Sequence, residues 1–281
     1  MKSDSNVKRL PSKVLVFSVT TVGLLHNSIF VSSTPEILRS LGESENLAGL
    51  LIAAGSVPGI VVAPLIGFLA DRFGRKKVLV PCLVVYGIFG LLVGLSPSLF
   101  WFLLIRIFQG LGSAGLINLV VVIISDNWAS LDRARLIGQN AAAITISVAI
   151  YPVVGGVITD LIGWRWVFLA FLAPLVVAFF VSKNLQDHQP RSDVSVREQI
   201  SGAFSEILKP AIATNLVIVI ILFMAIFGLF QSLLPVHLER EFGLLPTGRG
   251  LVASAPAVVA ALSALAVARV RKRVQGGVII Y

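Results

Sequence analysis

The chain has 281 residues, of which 56% are hydrophobic and only 13% are charged. Soluble domains carry about 25% charged residues, so this composition excludes an ordinary soluble protein and indicates a chain surrounded mostly by lipid. The net charge of +9 would fit nucleic-acid binding, but basic residues also collect on the cytoplasmic side of membrane proteins, which we favour. Cys82 is the only cysteine, which excludes an internal disulfide and a cysteine metal cluster.

Eight apolar segments are long enough to cross a membrane, because a helix rises about 1.5 Å per residue and the hydrocarbon core is about 30 Å thick. Helices are expected, since lipid offers the backbone no hydrogen bonds. The predicted fold class is therefore all-α and polytopic transmembrane. The segments are predicted at 14–35, 47–70, 78–96, 99–124, 136–159, 166–183, 211–234 and 249–268, and a ninth begins at Gly277.

The distribution of basic residues predicts the topology. With a cytoplasmic N-terminus, eighteen of the 23 Lys and Arg residues lie inside, four lie outside and Arg106 lies within a span. This bias follows the positive-inside rule and predicts that the N-terminus is cytoplasmic.

The predicted spans divide the chain into an N-terminal six-span half at 1–183, a cytoplasmic linker at 184–210 and an incomplete second half at 211–281. Ser195 and Glu198 have the spacing of a capping box, which predicts an amphipathic linker helix on the inner membrane surface. PEILRSLG from Pro35 is echoed by PVHLEREFG from Pro235. A duplicated six-span unit is typical of transporters.

The stretch GFLADRFGRKKVL, residues 67–79, forms the turn between the second and third segments. Asp71 lies at the C-terminal end of a helix, where the helix dipole is negative, so its carboxylate needs a positive partner. Gly67 and Gly74 are expected to allow close backbone approach and a tight turn. A fixed charge at such a contact can latch one conformation of a moving protein.

GFLADRFGRKKVL resembles the signature loop of the major facilitator superfamily, and two further stretches resemble other motifs of that family. IRIFQGLGSAG resembles its second motif, and YPVVGG resembles the motif associated with its antiporters, although Tyr151 and Ser147 stand where glycine is usual. GWRWVF, residues 163–168, is typical of drug-efflux members. The residues that match the first two motifs are Gly67, Leu69, Ala70, Asp71, Arg72, Gly74, Arg75, Lys76 and Leu79, then Arg106, Gln109, Gly110, Gly112 and Ala114.

The resemblance implies a superfamily-type six-helix half and the start of a second half, from a family with twelve or fourteen spans. It implies secondary transport in a prokaryotic plasma membrane, with proton-driven efflux of small organic or drug-like molecules by alternating access. Two alternatives stay open: uptake of a metabolite by symport, and a truncated, transport-inactive protein that lacks its C-terminal half. Substrate, protons and lipid are the expected partners. We expect no enzymatic activity, cofactor or metal, since the three histidines lack ligand spacing.

The resemblance also implies roles for individual residues. Asp71 would meet a helix of the second half, and we predict that Arg75 contacts Asp126. The predicted conformational latch comprises Gly67, Asp71, Arg72, Gly74, Arg75 and Asp126. The set predicted for proton coupling or the cavity comprises Arg106, Gln109, His26, Asn27 and Glu36.

Arg106 has two open explanations: a coupling or cavity role, or an arginine bonded to backbone carbonyls. Glu36 is the nearest acidic candidate to pair with it. His26 and Asn27, near the middle of the first segment, either line a cavity or make local hydrogen bonds. Pro152 is predicted to kink the fifth segment, because it removes a backbone hydrogen bond. The predicted gating kink comprises Tyr151, Pro152, Gly155 and Gly156.

Overall fold

The computed structural model describes residues 11–186, 209–223 and 230–273, and every regular element within them is helical. Six of its helical segments are long and apolar enough to cross a membrane. We number them spans 1 to 6: Lys13–Ser40, Glu45–Phe73, Arg75–Val93, Leu99–Asn127, Ser130–Ile162 and Trp164–Asn184. Each coincides with one of the first six predicted segments, which confirms the all-α transmembrane fold class.

Spans 1 and 4 are interrupted helices. Span 1 is broken near Leu24 and again around the 3-10 turn Val31–Ser33, and span 4 is broken at Ala114 and Gly115. Span 6 opens with the 3-10 helix Trp164–Phe171. The α-helices of the six spans are α1 (Lys13–Gly23), α2 (Leu25–Ser28), α3 (Thr34–Ser40), α4 (Ala48–Phe73), α5 (Arg75–Val93), α6 (Leu99–Ser113), α7 (Leu116–Asn127), α8 (Ser130–Ile162) and α9 (Leu172–Asn184).

Three further helices follow: α10 (Pro210–Phe223), α11 (Gln231–Phe242) and α12 (Pro246–Arg273). The predicted segment 211–234 covers α10 and the start of α11, and the predicted segment 249–268 lies within α12. The predicted linker helix with Ser195 and Glu198 lies outside the described residues, as does the ninth segment from Gly277.

Successive spans run in opposite directions, so the bundle has two ends. We call them the Glu36 end, where spans 1, 3 and 5 finish, and the Asp71 end, where spans 2, 4 and 6 finish. At the Glu36 end, α11 packs against α3 and α4, and α12 packs along α8. The two echoed sequences, which lie in α3 and α11, therefore meet.

The contact between α8 and α12 includes two points of close backbone approach. A Cβ on Gly156 would overlap the carbonyl oxygen of Pro246, and one on Gly250 would overlap that of Pro152. On the neighbouring face of α8, a Cβ on Gly155 would overlap the carbonyl oxygen of Ile29 in span 1. The two adjacent glycines thus let α8 approach two different neighbours closely.

Candidate functional site

A cavity of about 400 Å³ lies between spans 1, 2 and 4. It forms where spans 1 and 4 are interrupted, and span 2 supplies its third wall. Pockets of about 300–1,000 Å³ accommodate small organic molecules. Its lining residues are Gly23, Leu24, His26, Asn27, Ser28, Ser56, Gly59, Ile60, Ala63, Ser113, Ala114, Ile117 and Asn118.

Arg106 lies behind this cavity and is fully buried. Its Nη1 donates to the backbone oxygen of His26 at 2.7 Å and to Gln109 Oε1 at 2.8 Å. Its Nη2 donates to Asn27 Oδ1 at 2.5 Å, and its Nε donates to the backbone oxygen of Leu51 at 3.3 Å. All four acceptors are neutral oxygens. Arg106 therefore binds backbone carbonyls, as one of its two explanations expected, and it also bonds Asn27 at the cavity wall. A role in proton coupling stays a prediction.

The guanidinium fits because two glycines make room for it. A Cβ on Gly55 would lie 2.7 Å from Arg106 Nη2, and one on Gly110 would overlap the backbone of Gly55. Spans 2 and 4 therefore touch backbone to backbone beside the charge. The guanidinium also lies 4.7 Å from the ring centroid of Phe30, a distance at which cations and aromatic faces attract.

The structure brings four of the predicted cavity residues together: Arg106, Gln109, His26 and Asn27. Asn27 Nδ2 also donates to Ser56 Oγ at 2.8 Å, which connects spans 1 and 2 at the cavity wall. Among the described residues, Gln109 Nε2 is buried without a hydrogen-bond partner. The cavity wall is therefore polar at His26, Asn27 and Ser56, and one full positive charge lies behind it.

The expectation that Glu36 would pair with Arg106 is wrong. Glu36 lies at the end of the bundle, where its Oε1 contacts Arg249 Nη2 of α12 and lies 3.3 Å from Arg39 Nη2. Pairing with Glu36 is favourable for Arg249, because a buried arginine needs an opposite charge and the carboxylate itself stays partly exposed. Glu36 therefore belongs to an ion-pair cluster and not to the cavity wall.

That cluster, which we call the Glu36 cluster, consists of Glu36, Arg39, Glu239 and Arg249. Arg249 is 1% exposed, and its Nη1 lies 2.9 Å from Glu239 Oε2. The other oxygen of Glu239 lies 2.5 Å from Arg39 Nη2. Two residues come from span 1 and two from α11 and α12, so the cluster joins the six-span half to the helices that follow it.

Two outlying contacts strengthen the same junction. Arg240 Nε lies 2.6 Å from Glu45 Oε2. Asp160, near the end of α8, accepts hydrogen bonds from the backbone nitrogen of Thr247 at 2.9 Å and from the hydroxyl of Thr247. A carboxylate at the first turn of a helix is favourable, because the helix dipole is positive there.

At the Asp71 end, the predicted contact between Arg75 and Asp126 is present, with 3.2 Å between Arg75 Nε and Asp126 Oδ2. Asp71 finds its positive partner in the same turn, because its Oδ1 lies 2.5 Å from Arg75 Nη1. The same Nη1 donates to the backbone oxygen of Ala70 at 2.7 Å. Arg75 thus ties the end of span 2 to the end of span 4.

The glycines of this turn behave differently from each other. Gly74 has φ 103°, a conformation that side chains rarely tolerate, so it makes the predicted tight turn. The expected close approach at Gly67 is not found: a Cβ there would meet nothing within 4 Å, since no described segment packs against that face. Arg72 is exposed and lies 5.8 Å from the ring centroid of Phe73.

We expect Asp126→Asn to lower the free energy of unfolding by about 1–2 kcal/mol, because it removes the charge from a hydrogen bond made to an arginine. The loss is limited, since Arg75 keeps Asp71 and the carbonyl of Ala70. Unfolding of the purified protein in detergent measures it. The control is Glu241→Gln, which neutralises an exposed carboxylate in the last turn of α11, where the helix dipole does not favour a negative charge. Equal unfolding midpoints for the two variants would contradict a stabilising role for this pair.

Span 5 carries the residues predicted to form a gate. α8 runs as one helix of 33 residues through Pro152. The carbonyl oxygen of Pro152 accepts the hydroxyl of Ser32 at 2.9 Å, and the hydroxyl of Tyr151 donates to the carbonyl oxygen of Thr21 at 2.9 Å. These bonds hold span 5 against span 1. Whether the residues act as a gate stays a prediction.

Comparison with known proteins identifies the family. The model of the Major Facilitator Superfamily matches residues 15–281. The chain belongs to this superfamily. Members of the superfamily are transporters and not enzymes, and the apolar spans are consistent with an integral membrane protein.

Relatives in the superfamily include Multidrug resistance protein 2 of Bacillus subtilis, which is 24% identical over 254 residues, 88% of this chain and 63% of the relative. The Bacillibactin exporter of the same organism is 30% identical over 160 residues, 54% of this chain and 39% of the relative. The chain spans less than two thirds of the length of these curated relatives.

Solved structures of the superfamily share the fold. A bacterial homologue of the human lysosomal transporter Spinster, in an inward-facing and unoccupied conformation, gives a TM-score of 0.73 at 18% identity, over 93% of this chain and 62% of that one. The D-xylose-proton symporter gives 0.66 at 20% identity, over 92% of this chain and 69% of that one. These likenesses establish the superfamily fold and nothing about the substrate.

Sequence reasoning missed several residues of the site. Arg249 is one of the four basic residues predicted to lie outside, with no further role, and Glu239 lies within PVHLEREFG, the echo of PEILRSLG. That echo was the available signal, since it places Arg39 and Glu239 at matching positions of two repeats. Gly55 lies four residues before Gly59, a small-residue spacing that indicates close helix contact in membranes. Phe30 carried no comparable signal.

Proposed function

We propose that the protein is a secondary transporter that exports small organic molecules from a prokaryotic cell in exchange for protons. The proposal is supported by the superfamily assignment and by the names of relatives, Multidrug resistance protein 2 and the Bacillibactin exporter among them. The antiporter-like YPVVGG sequence and the drug-efflux-like GWRWVF sequence of spans 5 and 6 favour efflux over uptake.

The observation that carries the proposal is the position of the cavity relative to the Glu36 cluster. From His26 the lining continues toward the Asp71 end, through Ala63 on span 2 and Asn118 on span 4. The Glu36 cluster meanwhile joins the six-span half to α11 and α12 at the opposite end. A site that is held closed at one end and extends toward the other is one of the two states required for alternating access.

In this proposal the Asp71 end faces the cytoplasm, where the excess of Lys and Arg is expected. The predicted latch residues at that end would fasten the cytoplasmic side in the alternative state. Arg75 contacts both Asp71 and Asp126 and so holds the ends of spans 2 and 4 together in the present state. Opening and closing at the two ends would then alternate.

The test reconstitutes the protein, with any sequence that its gene encodes beyond residue 281, in liposomes loaded with a fluorescent organic solute. Acidifying the exterior should accelerate solute release at least about tenfold over protein-free liposomes, because protons entering through the protein drive the solute out. A protonophore should abolish the acceleration.

The outcomes separate the alternatives from sequence analysis. Movement of the solute in the same direction as protons would support symport and contradict export in exchange for protons. Release that ignores the proton gradient would contradict proton coupling. Release no faster than from protein-free liposomes would contradict transport itself.

A further inference from the structure

The charge of Arg106 is not neutralised by any carboxylate of the described residues around it. Its four hydrogen bonds go to neutral oxygens. Residues 13–35, 48–70 and 99–125, which form the surrounding parts of spans 1, 2 and 4, contain no Asp or Glu. The carboxylate of Glu36 is engaged by Arg39 and Arg249 at the end of the bundle. A buried charge with only neutral partners favours the approach of an opposite charge.

Two side chains connect Arg106 to the cavity by hydrogen bonds. Asn27 accepts from Arg106 with Oδ1 and donates to Ser56 with Nδ2, and both Asn27 and Ser56 line the cavity. His26 lines the same wall, and one of its two ring nitrogens carries a hydrogen in the neutral ring. Gln109 Nε2, next to Arg106, is a further donor that the described residues leave without a partner. Because Arg106 and Gln109 are fully buried behind the wall, an acceptor that enters the cavity would meet the side chains of His26, Asn27 and Ser56 in the positive potential of Arg106.

The remainder of the cavity is apolar. Leu24, Ile60, Ala63 and Ile117 supply hydrocarbon surface beside the polar corner formed by His26, Asn27 and Ser56. A ligand that fits both parts carries an apolar body and an acidic group at one end.

We propose that the cavity binds organic anions, with the acidic group of the ligand placed against His26 and Asn27 in the field of Arg106. The inference rests on the proposed transport of small organic molecules and names the class of substrate. The Coulomb energy of a unit charge near a buried charge predicts that an anion will bind at least about tenfold more tightly than a cation of the same shape. Arg106 acts here through Asn27 and is a positioning residue and a source of positive potential.

The test compares two dyes that share a xanthene ring: a carboxyfluorescein, which is anionic, and rhodamine 6G, which is cationic. Their dissociation constants are measured by fluorescence polarisation with the whole protein in neutral-lipid nanodiscs, at two salt concentrations. We expect the anionic dye to bind at least about tenfold more tightly to the unmodified protein.

The variant Asn27→Asp places a carboxylate where Oδ1 already accepts from Arg106, so it keeps the hydrogen bond and neutralises the charge. We expect it to reduce or reverse the preference for the anionic dye. Asn184→Asp makes the same chemical change at an exposed position at the end of span 6, and it should leave the preference unaltered.

If Asn27→Asp fails to fold, the affinities of the two dyes for the unmodified protein still test the inference. Rhodamine 6G that binds as tightly as the anionic dye would overturn the inference and leave the transport of organic molecules standing. An equal response of both variants would overturn the role of Asn27 and Arg106. Failure of both dyes to bind would count against the inference and the proposed function together.

Discussion

Arg249→Gln is expected to shift the protein away from the state that is closed at the Glu36 end. Arg249 is the most buried member of the Glu36 cluster and pairs with two carboxylates, Glu36 from span 1 and Glu239 from α11. Removing one partner from a buried ion pair costs about 3–5 kcal/mol, and we expect the lower value because both carboxylates are partly exposed. A cost of about 3 kcal/mol corresponds to a change of roughly 100-fold in the ratio of closed to open states.

Cysteine labelling measures this shift. Ser254 is buried on α12 one turn after Gly250, so it lies on the face that contacts α8. A cysteine introduced there, with the natural Cys82 replaced by serine, should react with a maleimide much faster in the Arg249→Gln background. The reactive thiol is exposed only when α8 and α12 separate.

Arg165→Gln supplies the control for this experiment. Arg165 lies at the same end of the bundle, but it donates to the carbonyl oxygens of Gly94 and Ser96, both within the six-span half. Its replacement removes one arginine without touching the junction with α11 and α12. Labelling that rises equally in the two variants would show that the Glu36 cluster does not hold the closed state.

Gly155→Ala is expected to destabilise the six-span half by about 3 kcal/mol or more, which is at or above the usual cost of inserting a methyl group into a packed core. The added Cβ would overlap the carbonyl oxygen of Ile29, a backbone atom that cannot move without shifting span 1. The change should lower the unfolding midpoint in detergent and reduce the yield of folded protein.

Gly138→Ala, on the same helix, is the matched control. A Cβ at Gly138 would meet nothing within 4 Å, and the position is exposed. Because alanine favours the helix over glycine by about 1 kcal/mol, this variant should be as stable as the unmodified protein or slightly more stable. Equal midpoints for Gly155→Ala and Gly138→Ala would mean that span 1 yields readily, contrary to the packing.

Local patterns in the sequence were sufficient to predict the six spans, since each depends on a run of apolar residues. The contact between Arg75 and Asp126 followed from the resemblance, and the structure contains it. The pairing of Glu36 could not be obtained in this way, because its partner Arg249 lies 213 residues away in the chain. Only the packing of α11 and α12 on the first half brings the two charges together.

The interior of the site was predictable in composition but not in arrangement. The sequence predicted His26 and Asn27 near the middle of span 1 and Arg106 and Gln109 within span 4, and the structure brings the four together. That Arg106 would bind neutral oxygens depended on the backbone contact at Gly55, which no apolar pattern reveals. Breaks in spans 1 and 4 also escaped prediction, because hydropathy stays high through them.

The α8–α12 contact has a mechanical consequence. Gly156 and Gly250 meet carbonyl oxygens of the opposite helix, so at these two positions the helices touch without side chains between them. Contacts without interdigitated side chains offer little steric resistance when one helix turns against the other. We therefore expect the ion pairs at the ends of the helices to contribute most of the free-energy difference between the alternative positions of the two halves.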